Sequence, residues 1–279
     1  MSIYKKEYIL KSINPIHIGT GGVRLGRVDN TIIRKVHSEI PYIPGTALSG
    51  ALRGYSAIKV EKASCGGANI DKENYKSLYC GHDDCPICQN FGYTLYGKSK
   101  QGNLKINDAE IILFPVKTNY GIMYITTIEM FYKVIDKENS KDDIFSEKMR
   151  NILIDNIYIK DIKVLKEDIN IKISDIALEQ IIILDEKMFS YFINKMLEVR
   201  TSVSLENHIA IDGALFTYEA IPENTYFYLE INSKMPFDKK YSKFEISDVI
   251  NRGFEGIKEF GIGGMTTRGF GSLELVSEV

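Results

Sequence analysis

"GIKEFGIGGMTTRGFGSLELVSE", residues 256–278, carries a helical pattern into a strand through a glycine-rich loop. Ile246, Val249, Ile250, Ile257 and Phe260 recur on one side of that helix, and Gly261 can end it in the left-handed conformation. Beyond the loop, "FGSLELVSE" (270–278) reads as a strand. The front of the chain supplies a similar unit. Residues 3–13 alternate as a strand does, with apolar side chains on both sides. Residues 14–45 hold Pro15, Pro41, Pro44 and several glycines, which is loop chemistry. Thr46 is then expected to cap a helix, and Leu48, Ala51, Leu52 and Tyr55 carry its apolar face to about Lys62.

Between these ends, "LKINDAEIILFPV" (104–116), "GIMYITTI" (121–128) and "NTYFYLEI" (224–231) are rich in β-branched and aromatic residues and read as strands. With insertions removed the order is strand, helix, strand, strand, helix, strand. That order predicts an α+β, ferredoxin-like (RRM-like) fold, with two helices on one face of an antiparallel sheet. One insertion follows the first helix and another lies between the middle strands. Residues 134–198 hold ten Lys or Arg and fourteen Asp or Glu, and "DEKMFSYFINKML" (185–197) is helical in pattern; a solvated insertion is expected. "RTSVSLENHIAIDGALFTYEAIPENTYF" (200–227) reads as a long hairpin or arm with little core of its own, and His208 in it as structural or surface-lying.

Composition excludes little and is ordinary for a water-soluble globular chain: 44% hydrophobic, 26% charged, formal net charge −2 over 279 residues. No apolar run approaches the roughly 20 residues that cross a bilayer. "MSIYKKEYILKSI" lacks the apolar block of a secretory signal, so a reducing cytoplasm is expected, where stable disulfides do not form.

All four cysteines fall in one window, C-x14-C-x4-C-x2-C over Cys65, Cys80, Cys85 and Cys88. A C-x2-C pair offers two thiolates to one ion, and four ligands close a tetrahedral, structural zinc site with no open position for water. His82 sits inside the window and could replace one cysteine. The polar segment around these ligands is expected to need a metal to fold. Four free thiols, or a redox pair at Cys85 and Cys88, are the alternatives.

Two further stretches suggest phosphate binding. Residues 17–53 join a glycine-rich loop, the lone Asp29, basic residues and a helix start, where Ser49 and Arg53 share a face. Residues 1–62 contain ten Lys or Arg against four Asp or Glu, so a nucleic-acid surface on this slightly acidic chain would be local. In "FGIGGMTTRGFG" (260–271) the glycines permit close backbone approach, and Thr266, Thr267 and Arg268 offer donors. Tight turns and solvated side chains would explain the same features taken singly.

Taken in order, "IHIGTG", "GRVDNTIIR", "PYIPGTALSGALR", "CPICQNFG", "DGALFTYEAIP" and "GIGGMTTRGFG" span nearly the whole chain, and the set resembles the RAMP superfamily of CRISPR-associated proteins. The likeness is greatest to backbone subunits of type III effector complexes. "DGALFTYEAIP" looks more like the Cmr kind and the cysteine window more like the Csm kind. The resemblance implies a single domain over 1–279 built as a hand: a palm, inserted zinc-containing fingers at 63–93, an inserted subdomain at 134–198, and a β-hairpin thumb at 199–222. It implies further copies of the chain and other subunits stacked along a CRISPR guide RNA, with complementary single-stranded target RNA cut wherever a thumb displaces a base. It places the family's catalytic aspartate at Asp29, acting with Mg²⁺ or Mn²⁺. It assigns guide contacts to His17, Gly19, Gly21, Arg34, Lys35, Ser49, Arg53, Gly263, Gly264, Thr266 and Arg268. The family usually has "GSSLKG" where this chain has "GTALSG", so Ser49 stands where a lysine is expected and the remaining cations and backbone amides must hold more of the guide. A non-catalytic scaffold, a standalone guide-processing endoribonuclease using His17 or His37, and a zinc-stapled protein-interaction module are the competing readings.

Overall fold

The computed structural model describes residues 3–21, 28–67, 70–71, 76–77, 80–95, 98–135, 144–206 and 209–278; His208 lies outside them. In chain order the principal elements are β1 (Tyr4–Ser12), α1 (Gly45–Lys59), α2 (Pro86–Phe91), β2 (Ala109–Thr118), β3 (Gly121–Thr127), α3 (Ile128–Val134), β4 (Phe145–Ile154), β5 (Ile157–Leu165), β6 (Ile181–Leu184), α4 (Glu186–Lys195), β7 (Glu198–Glu206), β8 (Ile209–Ala220), β9 (Tyr226–Ser233), α5 (Ile246–Phe260) and β10 (Leu273–Glu278). The fold is mixed, with helices against a large sheet of ten strands whose main path runs β5-β4-β2-β9-β1-β10. Within it, β2, β9, β1 and β10 are antiparallel to their neighbours.

Both faces of β1 are buried, which is why its alternation carries apolar residues on each side. Tyr8 and Leu10 join Leu48, Leu52, Ile250, Phe254 and Ile257 of α1 and α5 in one core. Ile9 points the other way and joins Phe131 and Val134 of α3, together with Ile169, Ile173 and Ile176, in a second core. That second core corrects the reading of 134–198 as a solvated insertion. The charges mark its outer surface only: Ile144, Ile152, Ile154, Ile173 and Ile181 are buried. Thr118 of β2 pairs with Ile154, which attaches β4 and β5 to the sheet, and β6 runs parallel to β3. β7 and β8 form a separate two-stranded antiparallel ribbon.

Several boundaries differ from expectation for local reasons. α1 starts at Gly45, whose amide donates to Asp108 Oδ1 at 2.8 Å, so Thr46 is an exposed first-turn residue and makes no cap. Gly45 is required there, because a Cβ would stand 2.3 Å from the Ile106 carbonyl oxygen. The helix stops at Lys59. The stretch 104–116 breaks at Asn107–Asp108 into Leu104–Ile106, which pairs with the end of β9, and β2, which pairs with its start. Phe260 is 62% exposed and stacks on Tyr55 instead of entering the core. Gly261 has positive φ (80°) but an extended ψ of 174°, so α5 does not end in the left-handed helical conformation. No helix among the described residues is long and apolar enough to cross a membrane.

α1 and α5 cross closely because α5 presents glycines to α1. A Cβ at Gly256 would fall 2.2 Å from Tyr55 Cβ, and one at Gly253 would fall 2.7 Å from Leu52 Cδ2. Ser56 Oγ donates to the Val249 carbonyl at 2.6 Å across the same contact. Gly256→Ala is therefore expected to force the helices apart and destabilise the chain by about 1–3 kcal/mol despite the higher helix propensity of alanine. Denaturant unfolding checks this; equal or greater stability would contradict it.

Candidate functional site

The loop after β1 returns along β8. Ile16 and Ile221 exchange backbone hydrogen bonds of 2.8 and 2.9 Å, and this seats His17 between two other segments. Its Nδ1 lies 2.7 Å from the Glu219 carbonyl oxygen, which can only accept, so Nδ1 is the donor. Its own carbonyl accepts the Gly264 amide at 2.8 Å. A Cβ at Gly263, where φ is +86°, would stand 2.4 Å from that carbonyl oxygen, so glycine alone allows the approach. Tyr218 meets the His17 ring edge-on at 6.1 Å, and Arg268 Nη1 donates to the Tyr218 hydroxyl at 3.4 Å. Three segments far apart in sequence thus converge: 16–21, 217–221 and 261–268.

Asp29 is exposed and fixed to the same ribbon. Its Oδ2 accepts two hydrogen bonds of 2.8 Å, from the Thr217 amide and from Thr217 Oγ1. Its own amide donates to Thr217 Oγ1 at 2.9 Å. The Thr217 amide, and then its hydroxyl, hold the Asp29 carboxyl below the usual carboxylate range. The side chain is therefore an anion at neutral pH, with Oδ1 free of hydrogen bonds among the described residues. Next to it, Asn30 N donates to the Thr217 carbonyl and Glu219 N to the Asn30 carbonyl, each at 3.0 Å.

Two basic residues taken for guide contacts are committed inside the chain. Arg34 donates from Nη2 to Glu219 Oε1 (2.6 Å), from Nε to Asn194 Oδ1 (2.8 Å) and from Nη1 to the Ile32 carbonyl (2.9 Å). Glu219 also accepts the Ile32 amide. Lys35 pairs with Glu110, which Lys133 shares. Neither cation can turn to a phosphate without breaking a half-buried ion pair.

A groove of about 510 Å³ runs between α1 and the C-terminal loop. Ala47, Gly50, Ala51 and Gly54 form its floor on α1, and Gly261, Gly263 and Thr266 its far wall. The small side chains leave the helix surface open to a bulky ligand. Ser49 and Arg53 are not among its lining residues. Arg53 Nε donates to the Cys65 carbonyl at 2.8 Å, beside Ala63 and Gly66 at the groove's near wall. The groove residues Ala47, Gly50 and Gly54 were missed in sequence, where small residues on a helix carry no charge or donor signal. Gly19 and Gly21 are exposed, and Gly19 packs against the His17 ring.

The four cysteine sulfurs lie within 4.8 Å of one another, with Cys80 to Cys88 at 3.8 Å and Cys65 to Cys85 at 4.0 Å. Four thiolates about 2.3 Å from a central ion would stand about 3.8 Å apart, so the cluster could hold a metal ion. His82 is exposed and outside the cluster. Contacts from Cys88, first its thiol and then its amide at the start of α2, push the Cys85 thiol down to about 5. Ile87, Cys88 and Asn90 are fully buried, and Ile87 packs with Ala57 of α1 and Val249 of α5.

The model of the RAMP superfamily matches residues 9–274. The CRISPR system Cmr endoribonuclease Cmr4 of Pyrococcus furiosus is 27% identical over 259 residues, covering 80% of each chain. The CRISPR system Cms endoribonuclease Csm3 of Methanothermobacter thermautotrophicus is 29% identical over 105 residues, a match spanning 36% of this chain and 38% of that protein. Among solved structures, a chain of type III-B Cmr-beta in its apo state superposes with a TM-score of 0.67 at 17% identity, over 99% of this chain and 97% of that one. Oligomeric Cmr4 from Pyrococcus furiosus superposes at 0.51 with 20% identity, over 99% of this chain and all of that one.

Metal analysis of the purified chain is expected to return about one thiophilic divalent ion per molecule. Its removal by a chelator, or Cys88→Ser, is expected to expose the remaining thiols to alkylation and lower the melting temperature by roughly 5–10 °C. A metal-free chain with the same melting temperature would contradict this.

Proposed function

The chain belongs to the RAMP superfamily, and on that premise we propose that it is a guide-RNA-binding backbone subunit of a type III CRISPR effector complex that cuts complementary target RNA at regular intervals by a metal-dependent reaction. The observation that carries the cutting role is the exposed Asp29 carboxylate, ionised and held on the returning strand of the ribbon by Thr217. Relatives named as CRISPR endoribonucleases support it.

The palm is read as ferredoxin-like, which the antiparallel order β2-β9-β1-β10 and the packing of α1 on α5 support. Residues 63–93 are the fingers, 134–198 the inserted subdomain and 199–222 the thumb. The groove between α1 and the C-terminal loop takes the guide backbone, with Gly263 and Thr266 in its wall; Ser49, Arg53 and Gly264 are read as guide contacts outside its lining. His17, Gly19, Gly21 and Arg268 stand at the convergence that joins this groove to the thumb. Such a surface grips phosphate and ribose and leaves sequence to base pairing. Zinc suits the closed set of four thiols and would act as a staple for the groove's near wall. Further copies of the chain, other subunits and target RNA are the partners, in the cytoplasm.

In the cleavage step the nucleophile is the ribose 2′-hydroxyl of the target, so one carboxylate suffices. Asp29 orients that hydroxyl or takes up its proton as the hydroxyl oxygen bonds to the adjacent phosphorus. The bond from phosphorus to the 5′-oxygen breaks, and that oxygen leaves with a proton from water, giving a 2′,3′-cyclic phosphate and a 5′-hydroxyl. Asp29 Oδ1 would be the chain's ligand to a Mg²⁺ or Mn²⁺ ion. Such an ion, when bound, neutralises charge building on the phosphate.

The hydrogen bonds to Thr217 also favour a second reading, in which Asp29 is a structural corner and the chain a non-catalytic scaffold. Asp29→Ala in the reconstituted complex separates the two. Regularly spaced cuts are expected to slow at least about a hundredfold while assembly on guide RNA survives. Unchanged cutting would establish the scaffold.

A further inference from the structure

Loop and ribbon are joined at Asp29 by two kinds of bond. One kind uses backbone alone: Asn30 N to the Thr217 carbonyl and Glu219 N to the Asn30 carbonyl, each 3.0 Å. These extend β8 by a short parallel bridge between Asn30 and Tyr218, and they hold whatever side chain stands at 217. The other kind uses the Thr217 hydroxyl. It accepts the Asp29 amide at 2.9 Å and donates to Asp29 Oδ2 at 2.8 Å. Together with the Thr217 amide it closes a ring around one carboxylate oxygen and leaves the other without a hydrogen bond among the described residues. A carboxylate on an exposed loop ordinarily samples several rotamers; two donors on one oxygen select one.

We propose that Thr217 is the positioning residue of the cleavage site, its hydroxyl fixing the Asp29 carboxylate to the thumb so that carboxylate and thumb move as one body. This rests on the reading of Asp29 as the cleaving residue. It explains how a cut could keep a constant offset from the displaced base. The carboxylate is referenced to the ribbon through Thr217. Thr217 stands opposite Thr201 of β7, so the reference extends to both strands. The docking of the loop keeps its two backbone-only bonds without the hydroxyl, losing just the one from the Asp29 amide, whereas the carboxylate loses one of its two donors.

Thr217→Val keeps the β-branched shape and the backbone bonds but removes the hydroxyl, and Thr217→Ser restores it. The experiment compares wild type, both variants and Asp29→Asn in the complex assembled on guide RNA. It measures single-turnover cleavage at saturating target and, separately, target affinity. Thr217→Val is expected to cut about ten- to a hundredfold more slowly with target affinity within about twofold of wild type. Thr217→Ser is expected to cut within about threefold of wild type. Cutting by Thr217→Val at the wild-type rate, or by Thr217→Ser as slowly as the valine variant, overturns the proposal. Loss of assembly or target affinity in step with the rate makes Thr217 a structural residue and also overturns it. Asp29→Asn cutting at the wild-type rate removes the cleaving role of Asp29, and the proposal with it.

Discussion

The peptide and ring of His17, with the neighbouring Ile16, bind two distant segments to the loop after β1. The ring holds the Glu219 carbonyl, the carbonyl holds the Gly264 amide, and the preceding Ile16 pairs with Ile221. The β8 end of the ribbon, the loop of Asp29 and the wall of the α1 groove take their places from it. The glycines at 263 and 264 follow from this contact, because any Cβ at 263 would overlap the His17 carbonyl. Burial of His17 is the cost of the arrangement, and it is met by hydrogen bonds to backbone on both sides.

A second anchor works at the other side of the groove. The thiol cluster gathers Cys65 with α2, and Arg53 ties the Cys65 carbonyl to α1. Gly66 packs so closely that a Cβ would meet Ala57 Cβ at 3.0 Å and the Gly54 carbonyl oxygen at 3.3 Å. The far wall is held by the Tyr55 hydroxyl, which donates to the Gly261 carbonyl at 2.8 Å. A groove with both walls fixed to one helix is a preformed surface, and preformed surfaces lose less entropy on binding a flexible strand.

The sequence made α1, α4 and α5, the strands β1, β2, β3, β9 and β10, and the cysteine cluster legible, since each rests on local spacing, while α2, α3 and the strands β4, β5 and β6 went unread. The phase of α1 was right at Leu48 and Leu52, and the thiol spacing alone anticipated convergence. What it hid was pairing over distance. Arg34 and Lys35 read as free cations because their partners, Glu219 and Glu110, lie 185 and 75 positions away. Residues 134–198 read as solvated because charge counts ignore which face a side chain takes. Thr217 gave no signal, since a threonine in a strand is unremarkable until an aspartate from another segment arrives beside it.

The proposed cleaving role of Asp29 requires the ribbon to hold its carboxylate at the cut. The direct measurement is a structure of the complex assembled on guide RNA with a target carrying a 2′-deoxyribose at one interruption, which halts the reaction before the cut. The account predicts the Asp29 carboxylate, still bonded to Thr217, within hydrogen-bond reach of the scissile phosphate or one water or ion from it. An Asp29 that faces away from the target, with another side chain at the phosphate, would contradict it.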